Sequence, residues 1–396
     1  MPASDGRPGL PVTPAAVPLQ AKQIQRVYLL LMVLSTLAAS FIWGINTLFL
    51  LDAGLSNAEA FGANAFFTIG QVIFEVPTGV VADTRGRRTS YLLGAATLLV
   101  STLLYLLMWR AHVAFWGWAL ASVLLGLGFT FFSGATEAWL VDALAASGFK
   151  GTLESVMAKG QIAAGVAMLT GSLAGGFVAQ FTNLGVPYIL RSVVLGLTFV
   201  AAFFLMKDVG FTPAPGKGTL KEVAQVFRQS LDHGLRNAPV RWLMLAAPFT
   251  MGVGIYAFYA LQPYLLQLYG DDRAFWIAGL AAAIVAGTNI VAGLIGPLVH
   301  RLFTRRTHAL LLATTAGAGC LALIGWTSTF WVAIALLIIL ELAAAVSLPM
   351  RQAYMNGMIP SAQRATVLSF DNLMGSAGGV VIQPALGRIA DGWGYA

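Results

Sequence analysis

The chain has 396 residues, of which 58% are hydrophobic and 10% charged. Soluble proteins carry about a quarter charged residues, so this chain has more apolar surface than a soluble core needs and belongs in a membrane. Its net charge of +7 would suit nucleic acid in a soluble protein, but here the Lys and Arg residues sit in short loops between apolar runs, which argues against nucleic acid and for lipid.

Residues 1–26 open the chain. The first twenty contain five prolines and no apolar periodicity, and the stretch reads as a disordered cytoplasmic tail. The run over 27–51 is too long for the core of a secretory signal and is read as a retained first helix. Taking about 20 apolar residues as one crossing, further spans are expected at 58–82, 89–109, 114–142, 157–181 and 187–206. A polar, basic linker over 207–240 follows. Its pattern of Leu220, Val223, Val226, Phe227 and Leu231 suits either a helix lying on the membrane surface or a solvated tether. Spans at 241–268, 274–299, 308–327, 329–350 and 366–387 bring the total to eleven. With the N-terminus inside, nineteen of the twenty-three Lys and Arg residues fall on the cytoplasmic side, leaving Arg110, Arg191, Arg273 and Arg388 outside or near the outer face. This is the expected topology in the plasma or inner membrane, with 27–206 and 241–396 as two bundles.

Between the second and third spans lies Gly79-Val80-Val81-Ala82-Asp83-Thr84-Arg85-Gly86-Arg87-Arg88, read as a tight, charged hinge. Gly79 and Gly86 permit close backbone approach and unusual dihedrals. Gly79, Asp83 and Glu75 share one helix face. The segment closely resembles the GxxxDxxGRR signature of the major facilitator superfamily of secondary transporters, where Gly79, Asp83, Arg85, Gly86, Arg87 and Arg88 stand at the pattern's positions.

The resemblance implies an all-α polytopic protein of two pseudo-repeated six-helix bundles and no enzymatic activity. A degenerate second copy runs from Gly296 to Arg306, with His300 in the aspartate's place. The same architecture calls for a twelfth span after Asp391, and the sequence is read as lacking it. Gly171, Gly175 and Gly176, with Ser172, resemble the family's glycine-rich antiporter motif, and the same small residues suit plain close packing. Residues 133–142 and 364–369 resemble a bacterial branch often labelled drug exporters.

Ionisable residues inside a membrane are functional candidates, since each costs at least about 2.5 kcal/mol at a helix centre unless paired, protonated or wetted. Glu75 lies eight residues before Asp83, about 12 Å deeper at the helical rise, a depth suited to loading and releasing a proton. Asp142 is placed to pair with the hinge arginines and is assigned with them to a conformational switch. Glu137 lies deeper on the same span. The offset of 217 residues between the two hinge copies sets Glu137 opposite Arg351, and the two are expected to meet when the cytoplasmic side closes. Glu341 and Asp371 are alternative proton sites. Arg191 is expected to snorkel to the outer face. Asn46 and Asn289 are read chiefly as interhelical hydrogen-bonders. Trp43, Tyr256 and Tyr259, with Asn46, are weaker candidates for a substrate cavity.

Cys320, the single cysteine, lies in an apolar run and reads as a small buried hydrophobe. The four histidines are scattered, suggesting no metal site, and no phosphate-binding glycine loop with its lysine appears, so no cofactor is expected beyond a proton gradient. The expected activity is alternating-access transport, most simply proton-coupled export of a small amphipathic molecule by a monomer in the bilayer. Symport uptake of a sugar, peptide or organic anion is the competing transport reading. A nontransporting membrane receptor or assembly partner is the reading from another class.

Overall fold

The computed structural model describes residues 20–213, 238–302, 306–359 and 364–395. Most of the tail, the amphipathic linker pattern and the side chains of the second hinge copy therefore lie outside the described residues. Among the described residues all regular structure is helical. The first half contains α1 (Ala21–Trp43), α2 (Asn46–Asp52), α3 (Asn57–Arg85), α4 (Arg87–Ala111), α5 (Phe115–Phe132), α6 (Ala135–Ala146), α7 (Leu153–Phe181) and α8 (Gly185–Leu205). The second contains α9 (Ala238–Tyr269), α10 (Phe275–Leu302), α11 (Arg306–Trp326), α12 (Phe330–Met358) and α13 (Arg364–Trp393).

Helices dominate because lipid offers no hydrogen-bond partners, so each spanning segment must satisfy its own backbone. Among the described residues, ten stretches are long and apolar enough to cross a membrane, α5 and α6 counting as one. The expected eleventh span, at 366–387, falls within α13, a helix of 30 residues.

Two expected spans are broken. The first crossing stops at Trp43 and restarts at Asn46, and at the break Gly44 packs so closely that a Cβ there would lie 2.7 Å from the Ala278 carbonyl of α10. The fourth stops at Phe132 and restarts at Ala135 through Gly134, whose φ of +68° suits glycine. The hinge is tighter than a ten-residue turn: α3 runs through Arg85 and α4 begins at Arg87, with Gly86 alone between them.

The halves meet along two seams, α3 on α13 and α7 on α10. Helices α1 and α7 are also closely packed. A Cβ at Gly171 would strike Ser40 and one at Gly175 would sit 2.0 Å from the Phe41 carbonyl. One at Gly176 would lie 2.8 Å from Gly279 of the other half.

The two ends of the molecule differ. One large core joins both halves, from Ala38, Phe49, Trp118 and Tyr188 to Leu265, Ile277 and Leu337. Toward the end that carries Gly86, the cores separate. Ile24, Tyr28, Trp139 and Met206 form one wholly within the first half; Val240, Met244, Met355 and Phe370 form another within the second. We call this the hinge end and the opposite one the far end.

Arg191 does not snorkel. It is 1% exposed, its Nε donates to Thr102 Oγ1 at 3.0 Å and its Nη1 to the Ala38 carbonyl at 3.0 Å, and its guanidinium lies 5.8 Å from the Phe129 ring centre. Its position on α8 points it into the bundle among α1, α4 and α5, where carbonyl and ring replace water.

Gly175→Ala is expected to cost about 1–3 kcal/mol through overpacking against α1, read as a lower melting temperature in detergent. Gly196→Ala, where an added Cβ meets open space, is expected to leave that temperature unchanged or raise it slightly.

Candidate functional site

The hinge is a charge cluster organised by Gly86. Its φ of +103° turns α3 into α4 without a loop, and a Cβ there would fall 2.3 Å from Asp208 Oδ2. The turn places Arg87 one helical turn beyond Asp83, and Nη1 donates to Asp83 Oδ1 at 2.5 Å. The same guanidinium brings its Nε 3.8 Å from Asp142 Oδ2 on α6 and lies 5.8 Å from the Phe211 ring centre. Arg87 thus ties together the ends of α3, α4 and α6. Arg88 turns away: its Nη2 donates to the Phe203 carbonyl at 2.7 Å while the guanidinium lies 5.0 Å from that residue's ring centre. Arg85 is exposed.

Asp208 escaped the sequence reading. It follows α8 and caps α4 from outside, its Oδ1 accepting from the Arg88 N–H at 2.8 Å. The segment is held there by Trp139, whose indole N–H donates to the Lys207 carbonyl at 2.7 Å. Burial holds the Asp208 carboxyl above the usual carboxylate range, against the opposing pull of Arg88 and Arg87. The available signal was an acid just past a span that ends on the same side as the hinge arginines.

Among the described residues, no heavy atom lies within 4 Å of where a Cβ at Gly79 would be.

The intramembrane acids separate into three situations. Glu75 is exposed and accepts from Ser133 Oγ at 2.7 Å, beside the break between α5 and α6. Glu137 is exposed on the first turn of α6. Arg351 does not reach it here. Its Nη2 donates to Asp371 Oδ1 at 2.7 Å and to the Leu243 carbonyl at 3.2 Å, and its Nη1 donates to Asp371 Oδ2, a two-pronged pair inside the second half. Asp371 is buried in that pair.

Glu341 is different. Near the middle of α12 it faces a narrow crevice between the halves, with Gly44 on one side and Phe258, Gln262, Ala282 and Val285 on the other. Among the described residues it has no hydrogen-bond or ion-pair partner. Trp43 of the first half packs on Phe258 with ring centroids 4.7 Å apart, and Tyr259 abuts Phe258 at 5.2 Å. Tyr256 packs across the halves on Phe61 at 4.8 Å.

Asn46 lies in the packed interior. Its Oδ1 accepts from the Tyr188 hydroxyl at 2.9 Å and its Nδ2 donates to Asn64 Oδ1 at 2.9 Å, joining α2, α3 and α8. Asn289 bonds within its own helix, donating to the Val285 carbonyl at 2.7 Å, rather than between helices. Gln262 was missed, though it is a lone amide beside Pro263 in an apolar run. Its Oε1 accepts from the Thr47 N–H at 2.9 Å and its Nε2 donates to the Trp43 carbonyl at 3.0 Å, so a residue of the second half stitches the break in the first half's leading span.

Among the described residues, two helical bundles share a core at one end and keep separate cores at the other, and between them lies a carboxylate that has no partner, an arrangement that fits a polytopic membrane transporter. The Major Facilitator Superfamily pattern matches residues 28–383, and the chain belongs to that superfamily. It is therefore a transporter and not an enzyme. Among solved structures, a mutant form of the nucleoside transporter NupG is similar with a TM-score of 0.77 at 12% identity, covering 92% of each chain. A POT family transporter in complex with a thioalcohol-conjugated peptide is similar at 0.64 and 12% identity, over 94% of this chain and 91% of that one. A D-xylose–proton symporter gives 0.61 and 16%, over 93% and 89%. No curated protein matches the chain by sequence.

Asp208→Ala removes the cap of α4 and is expected to cost about 1 kcal/mol, read by thermal unfolding; Asp208→Asn, which keeps an acceptor, is expected to cost less. Because the folded-state pKa is raised, the folded chain holds this proton more tightly than the unfolded one. The contribution is full below the ordinary aspartate range and is lost as pH rises through the raised value. Asp208→Ala is expected to flatten that slope.

Proposed function

We propose that this chain is a proton-coupled secondary transporter of alternating-access type, exporting a small amphipathic molecule, with Glu341 as the coupling carboxylate. The observation that carries the reading is the unpartnered Glu341 in the crevice between the halves. A half-buried ionised carboxylate there has no counter-ion among the described residues, so it is stabilised by a proton or by a cationic group of the substrate. Competition between the two for one carboxylate is what antiport needs. Glu75 already has Ser133 and Asp371 already has Arg351, so neither is as free to exchange partners.

With the basic hinge end on the cytoplasmic side, the parted cores face inward and the shared core seals the outside. The protein then sits as a monomer in the plasma or inner membrane, N-terminus inside, in an inward-facing state. The Asp83–Arg87–Asp142 cluster holds the first half together while the hinge end is open, and clamps the closed state through charge pairs with the adjoining helix end when the hinge end closes. Trp43, Phe258 and Tyr259 offer flat apolar faces for the substrate. Uptake by symport is the second reading, favoured by fold likeness to a D-xylose–proton symporter and to NupG, a nucleoside transporter.

Proteoliposomes carrying an interior pH dye and challenged with lipophilic cations, nucleosides, sugars and peptides test both. Proton movement out of the interior on substrate entry indicates antiport, and co-entry indicates symport. Glu341→Gln is expected to reduce the coupled proton flux at least tenfold, with Glu75→Gln losing less. Unchanged flux in Glu341→Gln would sink the assignment, and silence across the panel would favour the nontransporting reading.

A further inference from the structure

The hinge spacing recurs at the other end of the molecule. Gly387, Asp391 and Gly394 repeat the spacing of Gly79, Asp83 and Gly86, and the closing glycines both take positive φ, +85° at Gly394 and +103° at Gly86. The two copies end α3 and α13, the helices that form one seam between the halves. They point in opposite directions, α3 reaching its copy at the hinge end and α13 at the far end.

At the far end the copy is engaged. Asp391 Oδ1 accepts from the Asn57 N–H at 2.8 Å and Oδ2 from the Ala58 N–H at 3.0 Å. A helix leaves its first N–H groups without internal partners, and its dipole favours an anion there. The capping box of Ser56 and Glu59 satisfies the Glu59 and Ser56 N–H groups locally, so the two that remain are supplied by the other half. The Tyr395 hydroxyl adds a bond to Asn57 Oδ1. A Cβ at Gly387 would lie 2.8 Å from the Phe61 ring and 2.9 Å from the Asn57 carbonyl, so glycine is what allows the approach. At the hinge end the corresponding glycine, Gly79, meets nothing within 4 Å among the described residues, and Asp83, with its side chain 51% exposed, pairs within its own half.

We infer that Asp391 is a positioning residue of the transport cycle: seated on the start of α3, its carboxylate latches the far end shut and must let go for that end to open. The inference rests on the alternating-access reading. Gln262, bridging the halves at the break after Trp43, is a second and separate tie at the same end.

The test reads end exposure without any substrate. In a Cys320→Ala background, cysteine placed at Thr47, beneath the far end, or at Ile73, on the exposed hinge-end face of α3, is labelled with a membrane-impermeant maleimide in vesicles of either orientation. Asp391→Ala is expected to raise labelling at position 47 by about 2- to 30-fold, the range a helix cap confers on an equilibrium, and to lower it at position 73. Ser56→Ala, which weakens the local cap alone, is expected to leave both unchanged, and melting temperatures confirm that each variant is folded. Equal opening by Ser56→Ala would reduce Asp391 to a helix stabiliser and overturn the latch. Opening by Gln262→Leu but not by Asp391→Ala would overturn the latch while leaving alternating access intact; no opening in any variant, together with silence in the transport assay, would remove both.

Discussion

A helix in hydrocarbon has nowhere to send a hydrogen bond except to protein, and three of the places where this chain breaks or begins a helix draw a group from elsewhere in the chain. The structure meets that demand with single side chains. Gln262 serves the gap between α1 and α2, Asp208 the start of α4, and Asp391 the start of α3. Asp208 acts within one half and makes the hinge rigid. Gln262 and Asp391 act across the halves, where the same bonds become parts of a gate.

That distinction explains why the two ends behave differently. At the far end, glycine contacts at Gly176, Gly279 and Gly387 bring backbones together, and a single apolar core spans both bundles. At the hinge end, each half closes its own small core and its own charges, Arg87 with Asp83 and Asp142, Arg351 with Asp371. Each half is therefore self-sufficient where they part, which is the condition for moving as rigid bodies. Glu341 sits in the crevice between them, without a partner among the described residues.

The sequence showed the membrane class, most of the spans and the hinge, because hydropathy and a Gly-Asp-Arg spacing are local properties. It placed Asp142 beside the hinge arginines, and Arg87 does come within 3.8 Å of it. It misjudged Arg191, since an arginine near a span's end reads alike whether its helix turns it to lipid or into the bundle. It set Arg351 against Glu137 by repeat offset, to meet when the cytoplasmic side closes; in this structure Arg351 pairs with Asp371 on α13. Asp208 and Gln262 carried no motif at all; their roles come from residues 120 and 215 positions away.

By itself, then, the sequence determined what must be buried in lipid, where the chain can bend, and which ionisable groups stand too deep to be incidental. Those follow from transfer free energies and backbone freedom, which each residue carries with it. Tertiary structure alone decided which acids are spoken for, at which end one core joins both halves, and that Asp391 rather than a residue of its own half completes the start of α3. Partners and gates depend on which faces of distant helices meet, and that is settled only when both bundles are packed.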